Sequence, residues 1–409
     1  MLRLLTPVAP LLVGVAILLI GQGLQGTLLP VRANLEGFST LTIGLMGGAY
    51  FFGFTLGCLR GSDLVRRVGH VRVFAAMTAA ASAAPLLHGL WVDIWVWSAL
   101  RLVSGYCFAV LYVVIESWLN EQSTNETRGA VFSAYTLITL TMMAGGQQML
   151  LLHPPQQMAL FAIASALVSI AAIPVALSRT ATPAHHETEV RLDLRRMFAI
   201  SPAGALGSLA AGLTNGAFWS LAPVFVAGYT DDLKIIAFFM TAAVLGGAAG
   251  QWPLGRWSDY VDRRWVIVAA AVAGTLVGLA LWGFAGIVTP AVLLALSAAW
   301  GAIAFPLYAV SAAHANDYAR DNEYVMISSG LLLMFGIGAI AGPFIAPLLM
   351  DALGAGGLYL FTAVVHALLA AYTVLRISRR APPPDEEHVP FSDALAATQT
   401  ASHVYEDEL

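Results

Sequence analysis

Twelve long apolar runs dominate this 409-residue chain, and they constrain its fold more than any other feature. A helix needs about 20 apolar residues to cross the ~30 Å hydrocarbon core of a bilayer. In lipid the backbone must satisfy its own hydrogen bonds, and runs of this length do so as α-helices. The pattern predicts an all-α polytopic membrane protein with 12 transmembrane helices. The predicted spans are residues 6–30, 40–60, 72–90, 94–118, 128–151, 158–178, 200–227, 234–255, 264–285, 289–313, 324–350 and 356–376.

Composition excludes the soluble classes of protein. Charged residues make up 11% of the chain and hydrophobic residues 58%, whereas a soluble domain carries about 25% charged residues. The sequence contains no phosphate-binding loop, no zinc-ligand cluster and no nucleophile with an evident base. We therefore expect no enzyme activity, no cofactor, no metal and no nucleic-acid partner.

Basic residues predict the orientation of the spans. When loops are assigned alternately to the two sides, 17 of the 20 Lys and Arg fall on one side, Arg32 and Lys234 on the other, and Arg101 within a span. Basic loops stay in the cytoplasm, so both termini are predicted to be cytoplasmic. We expect the first run to be retained as a span rather than cleaved.

The polar interval 179–199 divides the spans six and six and suggests an internal repeat. Ser62-Asp63 and Ser258-Asp259 are 196 positions apart, as are Asn120 and Asn316. Two such halves favour a binding site near the bilayer midplane. The predicted domains are 1–178 (N-terminal six-helix bundle), 179–199 (cytoplasmic linker), 200–380 (C-terminal six-helix bundle) and 381–409 (disordered acidic cytoplasmic tail).

Several motifs follow the pattern of a known family. Gly255 to Arg264 reads GRWSDYVDRR, which is similar to G-x-x-S-D-x-x-G-R-R, the signature of the major facilitator superfamily. Arg101-x-x-x-Gly105 resembles a second motif, common in the proton-linked members of that family. The run from Glu116 to Gly129 resembles a bacterial YcaD-like branch. The resemblance implies the major facilitator fold, two pseudo-symmetric six-helix bundles, and transport by alternating access.

Two departures from the family pattern leave questions open. Asp262 replaces the signature glycine, and the first-half copy aligns either through Gly69 or through Ser62-Asp63. The proline motif that drug and proton antiporters carry in their fifth helix is missing from Met142 to Gln148. Multidrug antiport is therefore not favoured.

The signature loops are candidates for a cytoplasmic gate. The resemblance implies that these loops form charged contacts that hold the halves together when the protein faces outward. Alternatively, the arginines are present because cytoplasmic loops are rich in basic residues. The candidate gate residues are Asp63, Arg66, Arg67, Asp259, Arg263 and Arg264.

The fourth span carries a stripe that is predicted to face inward. Arg101, Tyr112 and Glu116 share one helix face, and a charge within a span normally faces protein or a wet cavity. Arg101 either hydrogen-bonds the backbone and amides of the segment around Gln22 and Gln25, or meets an anionic substrate group or promotes proton release. Glu116 either pairs with nearby arginines or couples transport to protons.

The sequence predicts a secondary active transporter in the bacterial inner membrane. It would move a small organic solute by alternating access, as proton-coupled efflux, and act as a monomer among membrane lipids. The alternatives are proton-coupled uptake and a sensor or assembly protein that retains the fold without transport. Candidate substrate-binding residues are Gln22, Gln25, Arg101, Tyr112, Tyr135, Asn215, Trp219 and Trp300, and the proton-coupling candidates are Arg101 and Glu116.

Overall fold

A computed structural model describes residues 8–177, 193–319 and 323–379. The predicted tail 381–409 and most of the predicted linker, 179–192, lie outside these residues. The part of the linker that is described is the short helix Leu194–Ile200.

Helices long and apolar enough to cross a membrane number 12 among the described residues, which contain no strand. This confirms the predicted all-α fold with 12 membrane-crossing helices. The sixth of these helices is followed by a short continuation, Ala172–Ala176, and the tenth by Leu307–Asn316 after a break at Pro306. The helices are α1 Ala9–Leu35, α2 Thr40–Val68, α3 His70–Leu90, α4 Ile94–Glu121, α5 Asn125–Gln148, α6 Met158–Ile170, α7 Pro202–Ala227, α8 Leu233–Tyr260, α9 Arg263–Phe284, α10 Pro290–Ala304, α11 Tyr324–Leu353 and α12 Gly357–Ile377.

The connection between α2 and α3 is shorter than the sequence predicts. The basic stretch 61–68, predicted as a loop, continues α2, and Gly69 alone separates the two helices at φ 92°. A side chain is strained at such a φ, so glycine suits this turn. The end of α8 likewise extends five residues past its predicted boundary. Hydropathy locates the apolar part of each helix, but the backbone continues through helix-forming polar residues.

The chain forms two compact units. Unit 1 comprises the described residues of Met1–Glu187 together with Trp219–Thr241, and unit 2 those of Thr188–Phe218 and Ala242–Leu409. The helices α7 and α8 therefore each contribute to both units.

Within unit 1, glycines bring α2 and α4 into backbone contact. A Cβ atom on Gly53 would overlap the Leu102 carbonyl oxygen, and one on Gly105 would overlap the Tyr50 carbonyl oxygen. Small residues allow such close approach of membrane helices. The contact fixes Tyr50 of α2 beside the stretch of α4 that contains Arg101.

The same glycine contacts recur in unit 2 and define which residues of the units correspond. The helices α7 and α8 match α1 and α2 at an offset of 193, whereas α10 and α11 match α4 and α5 at an offset of 196. The difference arises because α9 is one residue longer than α3 and the connection after it is two residues longer. The matched contacts are Gly53–Leu102 with Gly246–Ala298, Gly57–Tyr106 with Gly250–Ala302, Gly105–Tyr50 with Gly301–Ala243, Gly23–Met143 with Gly216–Ala339, and Gly146–Ile20 with Gly342–Leu213.

Candidate functional site

The depth of Arg101 is set by the cap of α4. The Asp93 carboxylate accepts hydrogen bonds of 2.9 Å from the backbone N–H groups of Trp95 and Val96. Such a cap satisfies N–H groups that have no partner within the helix. Arg101 follows about two turns later, roughly 10 Å along the axis at 1.5 Å per residue.

Arg101 lies over the ring of Tyr50. The guanidinium carbon is 4.1 Å from the ring centroid, which is cation–π geometry. Within the described part of the chain the guanidinium makes no hydrogen bond and no ion pair. Hydrogen bonds from Arg101 to Gln22 or Gln25, one of the two alternatives that the sequence left open, are absent there, and the guanidinium packs on the Tyr50 ring instead.

Gln22 joins Tyr50 to Tyr112. Its Nε2 donates to the Tyr50 hydroxyl at 3.1 Å, and its Oε1 accepts from the Tyr112 hydroxyl at 2.7 Å. The structure thus brings Gln22, Arg101 and Tyr112 together through a residue that the sequence did not single out. We call Arg101, Tyr50, Gln22 and Tyr112 the polar relay.

Glu116 lies further along the same face of α4. Its carboxylate is 1% exposed and accepts a hydrogen bond from the Tyr135 hydroxyl at 3.2 Å. Tyr135 is 1% exposed as well, so this pair is enclosed within unit 1. A buried carboxylate requires such partners, since an isolated buried charge is very costly.

Gln25 lies outside the polar relay. The residue is 2% exposed, and its Nε2 has no hydrogen-bond partner among the described residues. It is therefore a buried amide with a free donor rather than a ligand of Arg101.

Unit 2 retains part of the polar relay at equivalent positions. At the offsets above, Asn215 corresponds to Gln22 and Tyr308 to Tyr112. Tyr50 and Arg101, in contrast, correspond to Ala243 and Ser297. Of the four positions, those of Arg101 and Tyr50 therefore have no cationic or aromatic counterpart in unit 2.

Trp300 does not line a cavity in this structure. It is 0% exposed and stacks on Phe218 at 4.7 Å, with the rings of Phe305 and Tyr359 also close. In this structure Trp300 packs in the core of unit 2, and its contact with substrate stays a prediction. Asn215 is buried, with its Oδ1 lacking a partner in the described part of the chain, and Trp219 is half-buried.

Arg263 ties three helices of unit 2 together. It donates to the Ala313 carbonyl at 2.9 Å and forms ion pairs with Asp317 and, at 3.2 Å, with Asp259. The side chains of Arg263 and Asp317 are 0% and 1% exposed. Arg263 and Asp317 therefore form a buried clasp between α9 and the segment that continues α10, and the gate candidate Asp259 of α8 joins it from an exposed position.

The first-half copy of the signature is built differently. Asp63 and Arg66 pair at 3.0 Å with both side chains more than half exposed, and Arg67 is exposed too. The offset of 193 pairs Gly69 with Asp262 and His70 with Arg263, so the alignment through Gly69 is the structural one. His70 takes the clasp position, with Nε2 3.0 Å from the Ser117 hydroxyl of α4. Of the two alignments left open by the sequence, the one that pairs Asp63 with Asp259 does not match the glycine contacts.

Asp262 caps α9 in place of the signature glycine. Its carboxylate accepts from the Arg264 backbone at 3.0 Å and from the Arg264 guanidinium at 2.7 Å. Burial raises the pKa of the Asp262 carboxyl, but the hydrogen bonds and charge of Arg264 outweigh it, so the pKa lies below its usual 3.8. The pair Asp262–Arg264 thus fastens the turn between α8 and α9.

Sequence reasoning missed Tyr50 and His70. A tyrosine in an apolar helix usually packs or anchors at an interface, so its type gave no signal. The glycine pattern of α2 and α4 contained the missing information, because close backbone approach places Tyr50 beside Arg101.

Comparison with known proteins supports the family resemblance. The profile of the Major Facilitator Superfamily matches residues 204–404. An uncharacterised MFS-type transporter of Enterobacter sp. (strain 638) is 29% identical over 381 residues, covering 92% of this chain and 97% of that protein. The uncharacterised MFS-type transporter YcaD of Escherichia coli (strain K12 / DH10B) is 27% identical over 385 residues, with the same coverage. The predicted resemblance to the superfamily and to YcaD is confirmed.

Solved structures of the same fold include three transporters. The nucleoside transporter NupG has a TM-score of 0.76 at 12% identity, covering 91% of this chain and 99% of its own. A bacterial homologue of the human lysosomal transporter Spinster, inward-facing and occupied, scores 0.72 at 15% identity, covering 93% and 98%. The E. coli fucose:proton symporter FucP scores 0.58 at 15% identity, covering 91% and 99%. These likenesses establish the fold.

Proposed function

Because this chain has the major facilitator fold and resembles MFS-type transporters along its length, we propose that it is a proton-coupled secondary transporter that exports a small organic solute. It works by alternating access as a monomer in the bacterial inner membrane, with both termini in the cytoplasm. The polar relay carries the proposal. Its four side chains lie within membrane-crossing helices, where polar groups are costly and mark solute or ion pathways.

The polar relay has the features of a solute site. Arg101, Gln22 and Tyr112 are each of intermediate exposure rather than fully buried in the core of unit 1. Aromatic and amide groups around a single charge suit an organic molecule with few polar groups. Export is favoured over uptake because such moderately apolar compounds enter cells readily without a carrier.

Glu116 is the proposed proton-coupling residue. Low-dielectric burial favours the neutral form of a carboxyl group, and hydration or a nearby cation favours the charged form. A change in the surroundings of Glu116 between two conformations would therefore bind or release a proton. Because Glu116 and Arg101 share α4, solute and proton sites are connected by one rigid helix.

The proposal is tested with purified protein in proteoliposomes. Compounds that raise its thermal stability are first identified in a panel of metabolites and drugs, and each is then assayed for transport with and without an imposed pH gradient. We expect Glu116→Gln to abolish transport driven by the gradient while solute exchange at equal pH continues. Glu36→Gln is the control, because Glu36 pairs with Arg32 in the connection after α1, away from the polar relay.

Three results would contradict this assignment. Equal loss of driven transport and exchange in Glu116→Gln would make Glu116 structural. Uptake of the solute together with protons, rather than its export in exchange for protons, would reverse the proposed direction of transport. Absence of any transport or solute-dependent stabilisation would favour a sensor or assembly protein.

A further inference from the structure

We propose that Arg101 and Tyr50 bind the head group of an organic monocarboxylate, a solute with one carboxylate and an apolar body. The inference rests on the proposed transport function and names the substrate class of the same site. It follows from the charge, the hydrogen-bond donors and the ring surfaces that surround Arg101.

The first argument is the missing counter-charge of Arg101. Its guanidinium has no ion pair within the described residues, and Glu116 is fifteen residues further along α4, roughly 22 Å at 1.5 Å per residue. A cation inside the bilayer is costly unless it finds an anion or water. A carboxylate ligand meets this requirement, because the planar guanidinium matches it with two parallel hydrogen bonds.

The second argument is an unused donor on Tyr50. Its hydroxyl oxygen accepts from Gln22, and no hydrogen bond is recorded in which the hydroxyl donates within the described part of the chain. Gln22 Oε1 accepts from the Tyr112 hydroxyl, which leaves Gln22 Nε2 to donate to Tyr50. An anion on Arg101 can therefore accept a third hydrogen bond from Tyr50.

The third argument limits the ligand to a single negative charge. One guanidinium and one carboxylate form a neutral pair, whereas a phosphate monoester dianion would leave a net negative charge in a low-dielectric site. Arg101 is the one cation among the four side chains of the polar relay. These groups can neutralise the negative charge of one bound carboxylate per transporter.

The fourth argument concerns the body of the solute. The rings of Phe51 and Phe54 lie 5.4 and 6.2 Å from the Tyr50 ring, and Phe54 is 6.1 Å from Tyr112. Aromatic surface next to a single polar anchor favours an apolar or aromatic ligand. Benzoate and hexanoate are therefore suitable probes.

The test measures the thermal stability of the full chain in detergent against graded concentrations of each probe. We expect benzoate and hexanoate to raise the melting temperature, and benzamide, hexanamide and phenyl phosphate not to do so. Arg101→Gln should abolish the shift. Tyr50→Phe, which keeps the ring and removes the hydroxyl, should raise the half-saturating concentration about 10-fold, as should Arg101→Lys, which keeps the charge without the fork.

Tyr106→Phe is the matched control on α4. Among the described residues the Tyr106 hydroxyl makes no hydrogen bond, so this variant should respond as the unaltered protein does. Nanodiscs of phosphatidylcholine with and without phosphatidylglycerol separate a solute from a lipid head group. Stabilisation by phosphatidylglycerol that disappears in Arg101→Gln would assign the site to lipid and overturn the proposal.

Other outcomes would also overturn it. These are equal shifts from carboxylates and their amides, shifts retained in Arg101→Gln, and no shift from any carboxylate. Proteoliposome transport of a neutral solute that continues in Arg101→Gln would overturn the substrate class alone and leave the transport function intact.

Discussion

At the scale of single residues, Asp262 predicts a pH dependence of stability. Its pKa in the folded protein lies below 3.8 because Arg264 stabilises the carboxylate. A carboxyl with a depressed pKa contributes stability above its unfolded pKa and loses it as pH falls through the folded value. We expect the melting temperature of Asp262→Asn to be lower than that of the unaltered protein at pH 7, with the difference closing below about pH 4. A constant difference across this range would mean that the charge of Asp262 is not responsible.

The Arg263 clasp predicts a contrast between two aspartates. Asp317→Asn leaves a buried guanidinium poorly compensated and should cost about 3 to 5 kcal/mol of stability. Asp63→Asn removes an exposed pair and should cost less than about 1 kcal/mol. Thermal or denaturant unfolding of the two variants measures the difference. Similar losses would show that the exposed pair contributes as much as the buried one.

The sequence drew attention to residues whose charge costs free energy within an apolar helix. Arg101 and Glu116 attract notice because a charge in an apolar helix needs a reason, and both belong to polar clusters of unit 1. Their roles remain predictions. Tyr50 and His70 escaped notice because their residue types are ordinary in a membrane protein, and their partners are distant in sequence.

At the scale of helices, two adjacent glycines of α5 predict opposite effects of alanine. A Cβ on Gly146 would overlap the Ile20 carbonyl oxygen of α1, whereas one on Gly145 meets no atom within 4 Å. Gly146→Ala should therefore destabilise the α1–α5 contact by about 1 to 3 kcal/mol. Gly145→Ala should stabilise α5 by about 0.5 kcal/mol or more, since glycine is a poor helix former. Melting temperatures of both variants check this, and a loss in Gly145→Ala equal to that in Gly146→Ala would contradict it.

The helix boundaries show what hydropathy can and cannot reveal. The number and centres of the twelve spans were predicted, since each apolar run is long enough to be unambiguous. The ends of α2 and α8 were not, because Arg and Leu continue a helix beyond the membrane as readily as within it. Gly69 and Asp262 mark the true turns, the first by its positive φ and the second as a cap.

At the scale of the whole molecule, the basic loops predict the orientation in the membrane. A green fluorescent protein fused at the C-terminus should fluoresce, because it folds in the cytoplasm. Alkaline phosphatase inserted after Gly37, an exposed turn between α1 and α2, should be active outside the cytoplasm. The opposite pattern of activities would reverse the predicted orientation.

The repeat was predicted in outline and corrected in register. Sequence matches at an offset of 196 residues gave the correct correspondence of α4 with α10. In α2 and α8 a coincidental Ser-Asp match at that offset differs from the offset of 193 that the glycine contacts define. Only the glycine contacts, which join residues far apart in the chain, could distinguish the two.

The correspondence between the units also bears on how such proteins diversify. Arg101 and Glu116 of α4 correspond to Ser297 of α10 and to Ala312 in the segment that continues it. Tyr50 of α2 corresponds to Ala243 of α8. If both copies descend from one duplicated gene, they have diverged at these positions, with charged or aromatic residues in the N-terminal copy and small residues in the C-terminal copy. Relatives that prefer a different cargo should consequently differ first at the relay positions of the N-terminal copy.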